Sequence, residues 1–232
     1  MKKIGFLKKH RVFAKYNIKK TEYYIDQKCR IHILEVTDTY ELLDSLIENE
    51  IQNQSVERFP YWAEIWPSSI GLAKWFFSNQ RNIGHKDGWI RELGCGVGFV
   101  GIALGAMGWA VEATDYVEDA LVFTSENAKI NKIGFNHKVA YLDWRNPVGK
   151  NCNCLVGSDI IYEKKNHLIL SRLLDSQLNR GGHFYTSDPQ RIASKSFVDL
   201  LRKKGYKHQV DVVTITHGSL KHDIDIHHFI KP

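Results

Sequence analysis

The residues that could do chemistry in this chain gather around one glycine-rich turn. The run from Trp89 to Leu104 begins with a short apolar stretch, passes through the turn and ends in a helical pattern of small residues. The glycines of this run include Gly94, Gly96, Gly98 and Gly101. A strand that leads through such a turn into a helix presents backbone N–H groups and a positive helix end to a ligand. Glycine suits the turn because a Cβ atom would block both the bend and the approach of the ligand.

Two carboxylates indicate which ligand this turn would bind. The spacing of Gly96, Gly98 and Gly101 satisfies the dinucleotide fingerprint, so NAD is one candidate. Glu92, two residues before the turn, would repel a pyrophosphate but attract the ammonium and sulfonium charges of S-adenosylmethionine. Asp115 closes the next apolar run, where an acid can accept hydrogen bonds from ribose hydroxyls. The carboxylates favour S-adenosylmethionine, although a turn that serves only helix–strand packing remains an alternative.

Further candidates follow other predicted strands, because ligands of parallel sheets lie beyond the carboxyl ends of the strands. Tyr116 comes directly after the second strand of the main domain. Asp143 and Trp144 follow the third, and this carboxylate and indole could contact an adenine amino group and its ring. Asp159 and Tyr162 follow the fourth and would share one side of a helical turn. The structural alternatives are a turn residue for Asp143, core packing for Trp144, a helix cap for Asp159 and a core tyrosine for Tyr162.

An aromatic segment, 59–69, precedes a predicted helix at 70–77. Large rings in a surface loop are costly to expose, so we interpret the segment as a lid in which Trp66 or Trp62 covers a flat or cationic ligand. A hydrophobic cluster that joins the N-terminal segment to the main domain remains an alternative, chiefly for Tyr61 and Trp62.

Apolar runs alternate with helical patterns from Trp89 onward. The predicted strands are 89–93, 110–114, 138–142, 154–158 and 182–186, and the predicted helices are 98–107, 117–131, 165–178 and 190–204. This alternation indicates βαβ units and a parallel sheet. Two last strands, 207–217 and 222–230, are joined by a short turn and must be antiparallel. The predicted fold class is α/β: a Rossmann-like, seven-stranded, mostly parallel sheet with helices on both faces and a C-terminal antiparallel hairpin.

The first quarter of the chain predicts a small extension of this domain. Residues 21–37 alternate like a β-hairpin, and 40–47 has helical spacing behind Asp38, a plausible N-cap. We therefore divide the chain into an N-terminal basic arm with a hairpin and helix, 1–58, and the main domain, 59–232. The lysines and arginines of the arm are typical of a solvated segment, and contact with nucleic acid or an acidic partner would be unspecific.

Composition sets the broad class. With 232 residues, 43% hydrophobic and 25% charged, the chain is ordinary globular material with a net charge of +6. It has neither a secretory signal pattern nor an apolar stretch of membrane-spanning length, so we expect a soluble, cytoplasmic monomer with no membrane partner. Cys152 and Cys154 are spaced unlike a redox or zinc pair, and reduced thiols are expected. His227 and His228 would point to opposite faces of a strand, so we expect no metal.

Two sets of residues resemble a known family. The run Glu92 to Gly98 resembles motif I of the class I, seven-β-strand methyltransferases that use S-adenosylmethionine. More narrowly, the segment 61–67 together with Asp159-Ile-Ile-Tyr162 resembles methyltransferase family 16, which contains protein-lysine methyltransferases and proteins similar to nicotinamide N-methyltransferase. The match runs from about Tyr61 to Tyr206, and the first twenty residues show none.

The resemblance implies a cofactor, S-adenosylmethionine with S-adenosylhomocysteine (SAH) as product, and a set of site residues. It implies that Asp159 and Tyr162 border the acceptor site, where we expect the catalytic residues. The expected cofactor-binding residues are Trp66, Glu92, Gly94, Cys95, Gly96, Gly98, Asp115, Tyr116, Asp143, Trp144 and Ser158.

The function that this resemblance implies is N-methylation of a lysine side chain in a protein. A small-molecule amine N-methyltransferase and a non-catalytic binding protein of the same fold are the alternatives. An NAD-dependent oxidoreductase is disfavoured by Glu92 and by the terminal hairpin. The fourth strand lacks the Asn/Asp-Pro-Pro-Tyr signature of nucleobase methylation, which disfavours nucleic acid as a substrate.

Overall fold

The computed structural model describes residues 11–37, 60–80, 83 and 88–232. The predicted helix at 40–47, with its cap Asp38, and the first ten residues of the basic arm lie outside these ranges. The division of the chain at 58/59 therefore stays a prediction.

Seven strands form the main sheet: β3 (Trp89–Leu93), β4 (Ala110–Asp115), β5 (His137–Tyr141), β6 (Cys152–Ser158), β7 (Leu178–Asp188), β8 (Lys207–His217) and β9 (Leu220–Ile230). Their order in the sheet is β5-β4-β3-β6-β7-β9-β8. The first five are parallel, whereas β9 pairs antiparallel with both β7 and β8. The predicted fold class and its terminal hairpin are confirmed.

Helices cover both faces of this sheet. They are α1 (Pro67–Asn79), α2 (Phe99–Ala106), α3 (Glu118–Ile130), α4 (Lys164–Gln177) and α5 (Ile192–Lys203). One core contains Phe76, Ile102 and Phe123 from the first three helices. A second core contains Leu170 and Phe197 from the last two. Each predicted helix of the main domain is present, with ends shifted by no more than a few residues.

Strand β7 differs most from its prediction, since it covers Leu178–Asp188 and not only 182–186. Its first half contains Gly181, with a φ of +70°, and Gly182. Glycine is unfavourable inside a strand, so the sequence pattern missed this part. Pairing of Leu178 with Cys152 extends the strand across it.

The predicted N-terminal hairpin is present as β1 (Ile18–Asp26) and β2 (Cys29–Val36), which form a separate two-stranded sheet. Asn127 of α3 and Asn131, which directly follows this helix, bind the backbone of the hairpin. The Leu34 N–H donates to Asn127 Oδ1 at 2.7 Å, and the His32 N–H donates to Asn131 Oδ1 at 2.9 Å. These bonds, together with buried Ile31, fix the hairpin on the main domain. None of the described helices is long and apolar enough to cross a membrane.

Candidate active site

A cavity of about 250 Å³ lies at the carboxyl ends of β3, β4 and β6, under the segment 60–69. Of the predicted site residues, the following line it: Trp66, Glu92, Gly94, Cys95, Gly96, Asp115, Tyr116, Trp144, Ser158, Asp159 and Tyr162. Gly98 and Asp143 are not among its lining residues. Predicted residues from Trp66 to Tyr162 therefore meet at one site.

The glycine turn requires its glycines for two reasons. Gly94 and Gly96 have φ values of +63° and +54°, a region that favours glycine. A Cβ atom on Gly96 would lie 2.7 Å from the carbonyl oxygen of Trp62, and one on Gly94 would lie 3.3 Å from the Trp144 ring. Gly98 serves packing, because its Cβ would lie 2.8 Å from the Thr124 side chain. Only the first two glycines shape the cavity wall.

Glu92 is an unusual carboxylic acid because it is buried and has no cation beside it in the part of the chain that the structure describes. Its side chain is 2% exposed, and Oε2 accepts a hydrogen bond from the Gly101 N–H at 3.1 Å. Burial raises the pKa of Glu92 to about 8, and the charge of Asp115 adds to the shift. Most of the Glu92 side chains therefore carry a proton at neutral pH.

Asp115 is buried next to Glu92 and is fixed by the backbone. Oδ2 accepts a hydrogen bond from the Gly96 N–H at 3.0 Å, and Oδ1 accepts one from the Val117 N–H at 2.9 Å. Burial raises its pKa, although these bonds oppose the shift. Each oxygen keeps a lone pair that could accept a further hydrogen bond.

These two carboxylates fit the chemistry of S-adenosylmethionine. Neither Glu92 nor Asp115 forms a salt bridge with a lysine or arginine among the described residues. A buried carboxylate without a cation is costly, and an ammonium or sulfonium would supply the missing charge. The hydroxyls of a ribose could donate to Asp115. The residues present therefore suit a cationic nucleoside better than a pyrophosphate.

Asp143 forms its own turn. Its Oδ1 accepts a hydrogen bond from the Arg145 N–H at 3.0 Å, and Oδ2 pairs with the Arg145 guanidinium at 2.6 Å. These local bonds hold the carboxylate outside the cavity lining, whereas the neighbouring Trp144 lies in it. The suggested contact between Asp143 and adenine stays a prediction.

Asp159 lies in the cavity wall and already forms a salt bridge with an arginine side chain. The Arg191 guanidinium donates to Oδ1 at 3.1 Å and to Oδ2 at 2.9 Å. The backbone of Asp159 has a φ of +49°, and its N–H donates to the Ser187 carbonyl at 2.9 Å. Burial raises the pKa of Asp159, and the pairing with Arg191 opposes that shift.

Arg191 is a site residue that our sequence reasoning missed. It lines the cavity and directly precedes α5, just after the carboxyl end of β7. The rule that led to Asp115 and Asp159, which takes the residues that follow each strand, would also have found it.

Three rings lie beside Asp159 and line the cavity. The Tyr61 ring centroid lies 5.5 Å from that of Tyr162 and 6.1 Å from that of Trp66. The Trp66 indole N–H donates to the Tyr61 carbonyl at 3.1 Å, and the Arg191 guanidinium carbon lies 5.9 Å from the Trp66 ring centroid. Burial raises the pKa of Tyr162, so its hydroxyl is neutral. We call this region, with Asp159 and Arg191, the acceptor end of the cavity, because Asp159 and Tyr162 are expected to border the acceptor. The expected contact of Trp66 with the cofactor stays a prediction.

Trp62 takes part in both of the roles weighed for the aromatic segment. It lines the cavity, but its ring lies 5.4 Å from Tyr16 and 5.3 Å from Phe123, centroid to centroid. These contacts join the N-terminal segment to α3. The hydrophobic cluster therefore exists around Trp62, whereas Tyr61 and Trp66 face the acceptor end.

Comparison with known families agrees with this geometry. The model of the lysine methyltransferase family, methyltransferase family 16, matches residues 46–204, which is more than half of the chain. The chain belongs to this family. It is an S-adenosylmethionine-dependent methyltransferase, as motif I and the aromatic segment suggested. No curated protein matches the chain at a significant level.

Solved structures share the fold. Magnesium protoporphyrin IX methyltransferase from Synechocystis, with bound SAH, is 13% identical with a TM-score of 0.54, over 82% of this chain and 100% of that chain. The O-methyltransferase from Bacillus cereus, in complex with SAH, is 16% identical with a TM-score of 0.54, over 84% and 91%. Precorrin-6y C5,15-methyltransferase from Geobacter metallireducens is 16% identical with a TM-score of 0.51, over 63% and 81%. At these identities the likeness concerns the fold alone.

Proposed function

We propose that this methyltransferase adds methyl groups to the side-chain nitrogen of a lysine in a protein substrate. The observation that carries the proposal is the acceptor end, where Tyr61, Trp66 and Tyr162 lie beside the buried Asp159. Aromatic faces and a carboxylate favour a cation on a slender apolar stem, as in lysine. Arg191 of the chain itself is a cation held in this way, since its guanidinium binds Asp159 and lies near the Trp66 ring.

The other half of the cavity would hold the cofactor. In this proposal Glu92 faces its ammonium group, Asp115 binds its ribose hydroxyls and Trp144 lies against its adenine. When bound, S-adenosylmethionine supplies a methyl group on a sulfonium for in-line transfer without a covalent enzyme intermediate. The chain mainly has to position the acceptor nitrogen in line and exclude water.

The acceptor ammonium must lose a proton before it can attack. Asp159 is already paired with Arg191, and the hydroxyl of Tyr162 is neutral because its pKa is raised. Neither group is a strong base at neutral pH, so the proton passes to water. Asp159 and Tyr162 then act by holding and orienting the amine.

The test is a labelling experiment in a lysate of cells that lack this protein. Purified enzyme and methyl-labelled S-adenosylmethionine should label a protein band, and mass spectrometry of that band should find methyl-lysine. The Asp115→Ala variant should give no label. Label in a small molecule alone would favour a small-amine N-methyltransferase, and a labelled band without methyl-lysine would contradict the lysine assignment.

We also propose a monomer in the cytoplasm. The four cysteines, at positions 29, 95, 152 and 154, are all free, which is typical of a reducing compartment. Size-exclusion chromatography with light scattering should give the mass of one chain, 26.8 kDa, and a dimer mass would contradict the proposal.

A further inference from the structure

A second group of side chains able to bind a ligand lies at the carboxyl end of β7. Asp188, Asp225 and His227 each offer one ligand atom, and these atoms lie within 4.8 Å of one another. Asp188 pairs directly with Asp225 across β7 and β9, and His227 lies two residues further along β9. Paired residues and i, i+2 residues share one face of a sheet, so all three side chains point the same way. None of them lines the cavity described above.

Each of the three side chains is oriented by one other hydrogen bond. Asp188 Oδ1 accepts from the Arg191 N–H at 3.0 Å, and Asp225 Oδ1 accepts from Gln190 Nε2 at 2.9 Å. Ring nitrogen Nδ1 of His227 lies 3.0 Å from His208 Nε2, so the other nitrogen faces the carboxylates. Metal ligands in proteins are typically held by such outer partners.

His227 gives an independent sign that a ligand is missing. Its side chain is buried, and Nε2 has no hydrogen-bond partner among the residues that the structure describes. Asp188 Oδ2 lies 4.0 Å from this nitrogen, too far for a hydrogen bond. Buried polar atoms without partners are rare in folded proteins because each one costs free energy. A metal ion between the imidazole and the carboxylates would remove this cost.

Although the positions of His227 and His228 led us to expect no metal, we propose that Asp188, Asp225 and His227 bind one divalent transition-metal ion, with Zn²⁺ as the ion of best fit. Imidazole nitrogen with carboxylate oxygens is a ligand set that Zn²⁺ accepts, and three protein ligands leave a fourth position for water. On a tetrahedral Zn²⁺ with bonds of about 2.0–2.2 Å, neighbouring ligand atoms lie about 3.4 Å apart. Small side-chain rotations would bring the three atoms to that spacing. Asp225 is partly exposed and provides the entry path.

A bound ion would stabilise the part of the fold that lies next to the acceptor end. Asp188 binds the backbone N–H of Arg191, and the side chain of Arg191 binds Asp159. An ion on Asp188 would therefore stabilise the start of α5, and no step of methyl transfer needs it. The inference does not depend on the proposed lysine substrate.

Metal binding can be measured on the untagged, full-length chain after treatment with EDTA. We expect elemental analysis to find one Zn²⁺ per chain after addition and desalting. With Zn²⁺ at a hundred times its Kd, the melting temperature should rise by about 5 °C or more. Absence of Zn²⁺ uptake by the wild-type chain would overturn the proposal.

Variants locate the ion. Asp225→Asn, at a partly exposed position, and His227→Gln should each weaken Zn²⁺ binding by about 10-fold or more in calorimetry. The matched control is Asp223→Asn. Asp223 lies on the same strand but accepts a hydrogen bond from the Thr214 hydroxyl, so this variant should bind Zn²⁺ like the wild type. Circular dichroism and SAH binding show whether each variant is folded. Uptake that persists in both folded variants would place the ion elsewhere, for example at His183 and His228, and contradict the site.

Discussion

The two ends of the cavity use the same residue type in different ways. Asp115 lies in the half of the cavity that we propose for the cofactor, which we call the cofactor end. Among the described residues it is bound by backbone N–H groups and has no cation beside it. Asp159, at the acceptor end, is also buried, but Arg191 already neutralises it. Burial raises the pKa of both. The cofactor end therefore lacks a positive charge that its ligand would bring, whereas the acceptor end is balanced before any ligand arrives.

The largest expected effect concerns the unpaired carboxylate. Asp115→Ala should lower the affinity for SAH by about 100-fold or more, because hydrogen bonds from ribose hydroxyls to a carboxylate are lost. Isothermal titration calorimetry measures the change. As a control, Asp175→Ala removes a carboxylate of α4 that binds Lys204 and does not line the cavity, and this variant should bind SAH normally. Unchanged affinity of Asp115→Ala would remove Asp115 from the cofactor site.

The paired carboxylate should behave in the opposite way. Asp159→Ala should keep its SAH affinity within about threefold but lower methyl incorporation by about 10-fold or more, because the acceptor end loses its anion and Arg191 loses its partner. Arg191→Met should show the same separation. Calorimetry and labelled methyl incorporation measure the two properties on the same preparation. Turnover at the wild-type level in Asp159→Ala would exclude Asp159 from the mechanism.

Some of these site residues could be predicted from the sequence and others could not. The glycine turn, Glu92 and Asp115 follow one another along the chain, so strand and helix patterns were enough to place them. Arg191 reaches Asp159 from a position 32 residues away, a contact that no local pattern encodes. Asp143 failed to reach the cavity lining for a local reason, since its own turn and Arg145 hold it. The asparagines that bind the N-terminal hairpin were missed because their partners are backbone groups, which any sequence offers.

A smaller effect should appear in the pH dependence of stability. The pKa of Glu92 is raised from 4.5 to about 8, so between these values the folded chain holds a proton that the unfolded chain has released. The stability contribution of Glu92 is full below about pH 4.5 and is lost as the pH rises through about 8. Glu92→Gln removes this titration. As the pH rises from 5 to 9, the free energy of unfolding of the variant should therefore increase by a few kcal/mol relative to that of the wild type.

Urea unfolding at a series of pH values measures this gain, and SAH calorimetry should show weaker binding in the same variant. A stability difference that does not change with pH would mean that Glu92 is already charged in the folded chain. In that case a partner cation, and not the bound cofactor, would balance it.

The smallest expected effect concerns the shape of the turn. Gly96→Ala and Gly108→Ala both place alanine at a positive φ, +54° and +93°. Only the first brings its Cβ within 2.7 Å of the Trp62 carbonyl oxygen, whereas the second meets nothing within 4 Å. Gly96→Ala should therefore cost about 1–3 kcal/mol more than Gly108→Ala in urea unfolding and should weaken SAH binding. Equal losses in the two variants would contradict close packing of the turn against the aromatic segment.

A crystal structure of the chain with SAH tests the central claim most directly. We predict density along the turn at Gly94 and Gly96, with the ribose hydroxyls on Asp115, the amino group facing Glu92 and the pair of Asp159 and Arg191 still intact. SAH bound elsewhere, or a ligand that displaces Arg191 while Glu92 and Asp115 stay without contacts, would contradict the assignment of the two ends.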